Sequence, residues 1–286
     1  MVKFRTGGSR SGNLEDRRGR GGLAVGGGAV GIVGLIVTLL FNLSGGGGGG
    51  DLSDIFEQIQ VGGSSSGTVD PADEPLVDEM SSALDDIQAF WSGDTGLGSR
   101  YRDATLVLFT DAVRTDGCGD APASVGPFYC PPDASAYLDL SFFKELADGF
   151  GAPGDFARVY VLAHELGHHV QNLLGDSARV NQQQQADPDH ANELSVRLEL
   201  QADCYAGIWA HSAQDRGIIE PGDIDEGLAA AAAIGDDRLQ EQAGADVRPE
   251  SWTHGSSASR QRWFRAGLDA GDLGSCDTFT ASADQL

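Results

Sequence analysis

The sequence has no pair of cysteines spaced C-x-x-C and almost no lysine, with only Lys3 and Lys144 in 286 residues. Without such a pair a structural zinc knuckle is not expected, although four cysteines are present. Lysine and arginine together number 19 against 43 acidic residues, which gives a formal net charge of −24. Because so acidic a chain repels phosphates, nucleic acid is not expected among its partners.

The four cysteines are an even set, which in a domain outside the cytosol suggests two disulfides. They are Cys118, Cys130, Cys204 and Cys276. Four cysteines allow three pairings, and the sequence alone does not choose among them. The local option, Cys118–Cys130, closes a Gly/Pro-rich loop. Cys204–Cys276 would then join the end of the chain to a predicted helix, and four buried free thiols are the alternative.

Charged side chains are also absent from residues 23–43, a run rich in leucine, valine and glycine. A helix of this length rises about 32 Å, which is enough to cross the hydrocarbon core of a bilayer. Six basic and two acidic residues precede it, so the positive-inside rule places the N-terminus in the cytoplasm. We therefore expect a single-pass membrane protein whose folded domain is extracytoplasmic. The spacing of Gly27 and Gly31 suggests weak homo-association through this helix.

A cleaved signal peptide is the alternative interpretation of this run, but the run is longer than a typical signal sequence and no A-x-A-like site follows it. We divide the chain into a basic cytoplasmic N-terminus (1–22), a transmembrane helix (23–43), a flexible Gly/Ser-rich linker (44–74) and a folded domain (75–286). Within the domain, periodicity predicts helices over 76–91, 141–146, 155–175, 192–212, 223–243 and 256–270, and strands over 104–110 and 136–140. The predicted class is α+β, mostly helical with a small sheet.

The sequence AHELGHH at residues 163–169 lies within the helix predicted over 155–175. On a helix His164 and His168 are four residues apart, so both imidazoles project from one face. Two nitrogens so placed can bind one Zn²⁺, and Glu165 then lies beside the metal, where it can accept a proton from zinc-activated water. Because H-E-x-x-H also arises by chance, two ordinary helical histidines are the alternative.

A second predicted helix offers a third ligand, which a catalytic zinc site requires. Glu199 and Asp203 are four residues apart on one face of it. Glu199 can complete a His2Glu ligand set, and Asp203 can accept the free N–H of a ligand histidine. Glu193 and His190 are rival third ligands, and a surface acid is the alternative for Asp203.

Hydrolysis of an amide also needs a hydrogen-bond donor for the tetrahedral oxyanion, in addition to the metal. His254, in the sequence THGS, is our candidate, with Tyr160 and Tyr205 behind it. A loop histidine without a catalytic role is the alternative. His169 points roughly 140° away from His164 on the helix and is predicted to be a structural or rim residue. Residues 137–140 form either an edge strand that binds an extended peptide or a plain core strand.

His164, Glu165, His168, Glu199 and Asp203 resemble the constellation of the gluzincin zinc peptidases. The chain is more closely similar to the bacterial family of putative neutral zinc metallopeptidases. The matching segments are NLEDRRG at 13–19, GPFYCP at 126–131, YLDL at 137–140, residues 164–171 and 199–207, Gly255-Ser256, Arg260, Trp263-Phe264 and Cys276. The resemblance implies a zincin-like, membrane-anchored zinc peptidase.

The favoured function is hydrolysis of peptide bonds in a protein or peptide substrate, with Zn²⁺ as cofactor and Glu165 as general base. One alternative is a catalytically inactive, zinc-stabilised binding module at the cell surface. Another is a hydrolase of a non-peptide amide, such as a cell-wall bond. The presence of Glu165 favours an enzyme, because a structural metal site has no need of a base.

Overall fold

A computed structural model of the chain describes residues 2–4, 9–19, 69–93 and 97–286. Within them the fold is α+β, mostly helical with a small sheet, as predicted. The strands are β1 (Leu14–Asp16), β2 (Thr105–Phe109), β3 (Ala112–Arg114), β4 (Asp120–Pro122), β5 (Phe128–Cys130) and β6 (Ser135–Asp139). The helices are α1 (Glu74–Ser92), α2 (Ser141–Asp148), α3 (Asp155–Leu174), α4 (Asp176–Ala186), α5 (Ala191–Asp215), α6 (Pro221–Ala233), α7 (Asp236–Gln242) and α8 (Ser257–Ala270).

The main sheet has the strand order β1-β2-β6-β5, and β3 and β4 form a separate hairpin. β1, β2 and β6 run parallel, whereas β5 is antiparallel to β6. β6 lies between two neighbours and all five of its residues are buried. Of the two interpretations of residues 137–140, the core strand is therefore right and the edge strand is wrong. The edge of the sheet on that side is β5.

The predicted transmembrane helix is corrected by the structure. Residues 23–43 lie outside the described residues, as does most of the predicted linker at 44–74. In the described ranges, no helix combines the length and the apolar character that crossing a bilayer requires. The longest of them, α5 with 25 residues, carries acidic and basic side chains along its length. The prediction of a single-pass membrane protein is therefore not supported. Homo-association through residues 23–43 stays a prediction.

The N-terminal segment is part of the folded domain, although no pattern in its sequence indicates a strand. β1 pairs in parallel with β2, with Leu14 opposite Leu106. Arg18 is buried and binds Asp16 at 2.7 Å and Glu74 at 2.9 Å. A cytoplasmic N-terminus separated by a membrane from the domain does not agree with this pairing.

Helix α3 lies at the centre of the core. It begins after Gly154 and ends at Gly175, whose left-handed φ of 88° only glycine adopts easily. It packs against α1, α5 and α6. Two disulfides are formed, Cys118–Cys130 beside β5 and Cys204–Cys276 between α5 and the segment after α8. The sheet, α3 and α5 together therefore set the positions of the histidine motif and of its neighbours.

The helix predicted over 223–243 is in fact two helices, α6 and α7, that are separated near Gly235. A Cβ atom on Gly235 would lie 2.4 Å from the backbone nitrogen of Ser257. The chain therefore turns at a place where it also passes close to the start of α8. Periodicity does not detect such a contact, because it depends on residues that are distant in sequence.

Helices α5 and α8 cross with their backbones in contact. A single methyl group added at this crossing should therefore have a large effect on the stability of the protein. A Cβ on Gly267 would lie 1.9 Å from the carbonyl oxygen of Cys204. We expect Gly267→Ala to lower the free energy of unfolding by about 3 kcal/mol, because neither backbone can move without disturbing the core. Urea denaturation measures this change. Gly222→Ala is the matched control, since a Cβ there meets no heavy atom of the described chain within 4 Å. An equal effect of the two substitutions would contradict the interpretation of the crossing.

Candidate metal centre

The three predicted metal ligands come from two helices that approach closely. His164 and His168 lie on α3, and Glu199 lies on α5. The approach depends on Gly167, where a Cβ would lie 2.9 Å from the carbonyl oxygen of Ala202. Glycine between the two histidines therefore lets α5 come near enough for Glu199 to reach both of them.

One ligand atom from each of these three residues lies within 4.8 Å of the others. Nε2 of His164 is 3.2 Å from Oε2 of Glu199, and Nε2 of His168 is 3.4 Å from Oε1. Two imidazole nitrogens and one carboxylate are a donor set that Zn²⁺ takes in catalytic sites, where one position stays open. The residues present therefore fit a catalytic zinc ion.

The remaining ring nitrogen of each histidine faces an oxygen acceptor. Nδ1 of His164 lies 2.8 Å from Asp203 Oδ1, and Nδ1 of His168 lies 2.8 Å from Gln171 Oε1. Each Nδ1 therefore carries a proton, and Nε2, the atom that faces Glu199, is the ring nitrogen that can bind a metal. The Gln171 amide in turn donates to the carbonyl of Leu198 on α5, so its orientation is fixed as well.

Asp203 is fully buried and accepts hydrogen bonds from three side chains. Arg260 donates from Nε at 2.8 Å and from Nη2 at 2.9 Å, and the hydroxyl of Tyr160 and Nδ1 of His164 also donate. Burial opposes ionisation, but Arg260 and His164 outweigh it and lower the pKa of Asp203 to about 2. The aspartate therefore stays ionised and holds the His164 ring in one orientation.

The charges at the centre shift each other's pKa values. Burial alone would raise the pKa of Glu199, but His168 and His164 outweigh it and hold that pKa well below the ordinary value. Burial likewise works against protonation of His164, yet Asp203 raises its pKa to about 10. Because a metal needs the neutral imidazole, binding of a metal here would release a proton.

Glu165 is buried at the same centre and lines the cleft that opens over it. Burial raises the pKa of its carboxyl above the ordinary value. A raised pKa makes the carboxylate a stronger proton acceptor, which suits a general base that works near neutral pH. Its position beside the ligand residues, rather than among them, is the one that the sequence predicts.

His254 lines the cleft together with Glu165 and Glu199. Its Nδ1 lies 3.3 Å from Asp236 Oδ1, which leaves Nε2 for a molecule in the cleft. Burial opposes protonation of His254, but Asp236 and Glu199 raise its pKa. The structure thus brings this predicted residue to the site and supplies it with a carboxylate partner.

The other predicted candidates lie elsewhere. The hydroxyl of Tyr160 donates a hydrogen bond to Asp203, and Tyr205 packs in the core with its ring 5.8 Å from that of Trp91. The rival ligands are also accounted for: Glu193 binds Arg197 at 2.8 Å, and the exposed His190 binds Asp187 at 2.9 Å. Neither rival belongs to the cluster of three ligand atoms.

Comparison with known families decides which group of proteins the chain belongs to. The family described as "Putative neutral zinc metallopeptidase" matches residues 3–279. The chain belongs to this family. Uncharacterized protein YpfJ of Escherichia coli K12 is 44% identical over 283 residues, which cover 95% of this chain and 97% of that protein. Uncharacterized protein Mb2605 of Mycobacterium bovis is 50% identical over 193 residues, or 64% of each chain. No solved structure matches.

In this member of the zinc metallopeptidase family, the cleft over the metal centre has a volume of about 220 Å³. Its lining includes both apolar and polar side chains. The apolar part includes Phe142, Phe150, Val161, Ile234 and Leu239, and the polar part includes Ser177, Asn181, Gln184 and Ser195. Edge strand β5 and the residues before it form a further wall.

The sequence assigns no role to three side chains that orient residues of this site. Gln171 holds His168, Arg260 holds Asp203, and Asp236 holds His254. Gln171 could have been found, because it lies three residues after His168 on the same helical face. Arg260 is among the residues that carry the family resemblance, but its local sequence does not show that it packs against Asp203. Asp236 could not have been found, because nothing near it in sequence shows that it contacts His254.

Proposed function

We propose that this protein is a zinc-dependent endopeptidase. The observation that carries the proposal is the buried carboxyl of Glu165, which lines the cleft beside three side chains fit to hold zinc. A metal site with only a structural role needs neither a base nor an open cleft. Membership of a zinc metallopeptidase family supports the same conclusion.

In this proposal His164, His168 and Glu199 hold the zinc ion. When bound, zinc lowers the pKa of water to about 7 and polarises a carbonyl as a Lewis acid. Glu165 takes a proton from the attacking water on a carboxylate oxygen, and then delivers it to the nitrogen of the leaving amine. The same carboxyl group thus acts first as base and then as acid.

His254 is proposed to stabilise the oxyanion that forms at the attacked carbonyl. Asp236 holds the ring through Nδ1, so that Nε2 can donate a hydrogen bond to the developing negative charge. The raised pKa of His254 supports this role, because it favours the protonated ring. Asp203 and Arg260 act through His164, whose orientation they fix.

The substrate is proposed to be an extended peptide that lies along β5. This strand is an edge of the main sheet, and Gly126, Pro127, Phe128 and Tyr129 line the cleft. Backbone groups on the outer side of an edge strand can pair with a peptide, and pockets then select its side chains. The apolar part of the cleft supports a preference for large apolar side chains next to the bond that is cut.

The proposal predicts a protein that loses its activity with its metal. We expect the purified full-length chain to contain about one Zn²⁺ and to cut casein, an unstructured protein, at internal bonds. Treatment with 1,10-phenanthroline should remove the ion and stop cleavage, because the reaction needs zinc and only three protein atoms hold it. Added Zn²⁺ should restore cleavage. Elemental analysis measures the metal, and mass spectrometry of new termini measures cleavage.

The outcomes of this experiment separate the alternatives. A chain that binds zinc but cuts neither casein nor a peptide library would overturn the peptidase and favour the binding module. Release of amines from cell-wall fragments, without cleavage of proteins, would instead favour the hydrolase of a non-peptide amide. Cleavage that is insensitive to the chelator would remove zinc from the mechanism.

A further inference from the structure

Tyr129 links the edge strand β5 to the metal-bearing helix α3. Its hydroxyl lies 2.8 Å from Nδ1 of His169 and 3.0 Å from Nδ2 of Asn172, both on α3. Asn172 also donates to the carbonyl of Pro131, just after the strand, at 3.1 Å. Tyr129 and His169 are buried, so water has little access to the hydrogen bond between them.

The direction of each hydrogen bond in this group follows from its partners. Nε2 of His169 lies 2.6 Å from the carbonyl oxygen of Arg102, which can only accept, so Nε2 carries the proton. Nδ1 of the neutral ring is then an acceptor, and the hydroxyl of Tyr129 donates to it. The amide of Asn172 donates to the same hydroxyl oxygen. The partners therefore fix the direction of each of these hydrogen bonds.

The link matters because the backbone pairing of β5 does not involve α3. The strand has three residues, and its register pairs are all with β6. The Cys118–Cys130 disulfide ties it to the turn between β3 and β4. Pairing and disulfide both hold β5 within the sheet region, whereas the bonds of Tyr129 hold it to the helix that carries His164, Glu165 and His168.

We propose that Tyr129, held by His169 and Asn172, is a positioning residue that sets the distance between β5 and the metal centre. The inference rests on the proposed function, because it concerns a peptide that lies along β5 while its carbonyl meets the metal centre. A strand that moves away from α3 carries such a peptide out of line with Glu165. A misplacement of about 1 Å can cost about 100-fold in rate.

The test compares Tyr129→Phe with Tyr101→Phe in the full-length zinc-loaded protein. The control is closely matched: the rings of Tyr101 and Tyr129 each lie 5.5 Å from that of His169, edge to face. The buried hydroxyl of Tyr101, however, has no hydrogen-bond partner in the described part of the chain. The measurements are kcat and KM on a ten-residue peptide that the wild type cuts, the positions of the cuts, the zinc content and the urea midpoint.

We expect Tyr129→Phe to lower kcat/KM by about 10-fold or more, with zinc content and urea midpoint close to those of Tyr101→Phe. We also expect cuts at neighbouring bonds, because a displaced strand no longer holds the peptide in one register. Unchanged kinetics and cut positions would overturn the proposal, and so would a loss of activity that only parallels a loss of zinc. If Tyr129→Phe does not fold, Asn172→Ala, at a half-buried position, decides by the same criteria. A wild-type protein that cuts no peptide would instead refute the proposed function.

Discussion

Replacing Glu165 by glutamine should reduce peptide hydrolysis by about 10³-fold or more, while the protein keeps its zinc. Glutamine has nearly the same shape but cannot accept a proton, and general acid–base catalysis contributes about 10²–10⁴-fold. Glu165 lines the cleft beside the three ligand residues, and burial raises the pKa of its carboxyl. The measurements are the rate of casein cleavage and the zinc content of wild type and Glu165→Gln prepared in parallel.

A suitable control for Glu165→Gln is Glu145→Gln, which changes a carboxyl that is exposed on α2 and lies outside the cleft lining. It should leave both rate and zinc content at the wild-type level. If Glu165→Gln retained a tenth or more of the wild-type rate, another group would have to act as the base. If it lost zinc, the loss of activity would not bear on proton transfer.

Removing Glu199 should have the second large effect, on metal affinity. Structural sites with four ligands bind zinc with about 10–16 kcal/mol, so one ligand contributes about 2.5–4 kcal/mol, or roughly 10²–10³-fold in affinity. Glu199→Ala should therefore weaken zinc binding by that factor, as measured by competition with a chelating dye. The buried pair of histidines alone leaves too few donors to hold the ion firmly.

Glu193→Ala provides the comparison on the same helix. Glu193 is half exposed, and its carboxylate binds Arg197 rather than facing the histidines. Its removal should leave zinc affinity unchanged, because it contributes no atom to the ligand cluster. Equal weakening by the two substitutions would indicate a general loss of helix α5. Weakening by Glu193→Ala alone would make Glu193 the ligand.

The parts of the site that the sequence predicts are those that lie on single helices. The apolar period and Gly175 gave α3 within one residue of its observed end. The two histidines, and Glu199 with Asp203, are each four residues apart, so helix geometry alone places each pair on one face. Helix geometry does not show that these two helix faces meet. We expected them to meet only because a catalytic zinc needs a third protein ligand.

The parts that the sequence does not predict depend on contacts between distant segments. β1 has three partly buried residues and shows no alternation, so no pattern marks it as a strand. In sequence, Arg260 does not differ from any other helical arginine. Only the packing of α8 against α5 buries it beside Asp203. For the apolar run at 23–43, in contrast, the sequence predicts a feature that the structure does not support. Hydropathy alone led to a membrane location that the helices of the described residues do not support.

The ion pairs of Arg18 have a further consequence, for the folding of the domain. By binding Asp16 and Glu74 they hold strand β1 beside the start of α1, and Arg18 and Glu74 are 56 positions apart in sequence. β1 pairs with β2 at a still larger separation, Leu14 with Leu106. Contacts between residues so far apart cost more closure entropy than local ones, so the N-terminal strand is expected to join the domain after the helices and the β3–β4 hairpin have formed.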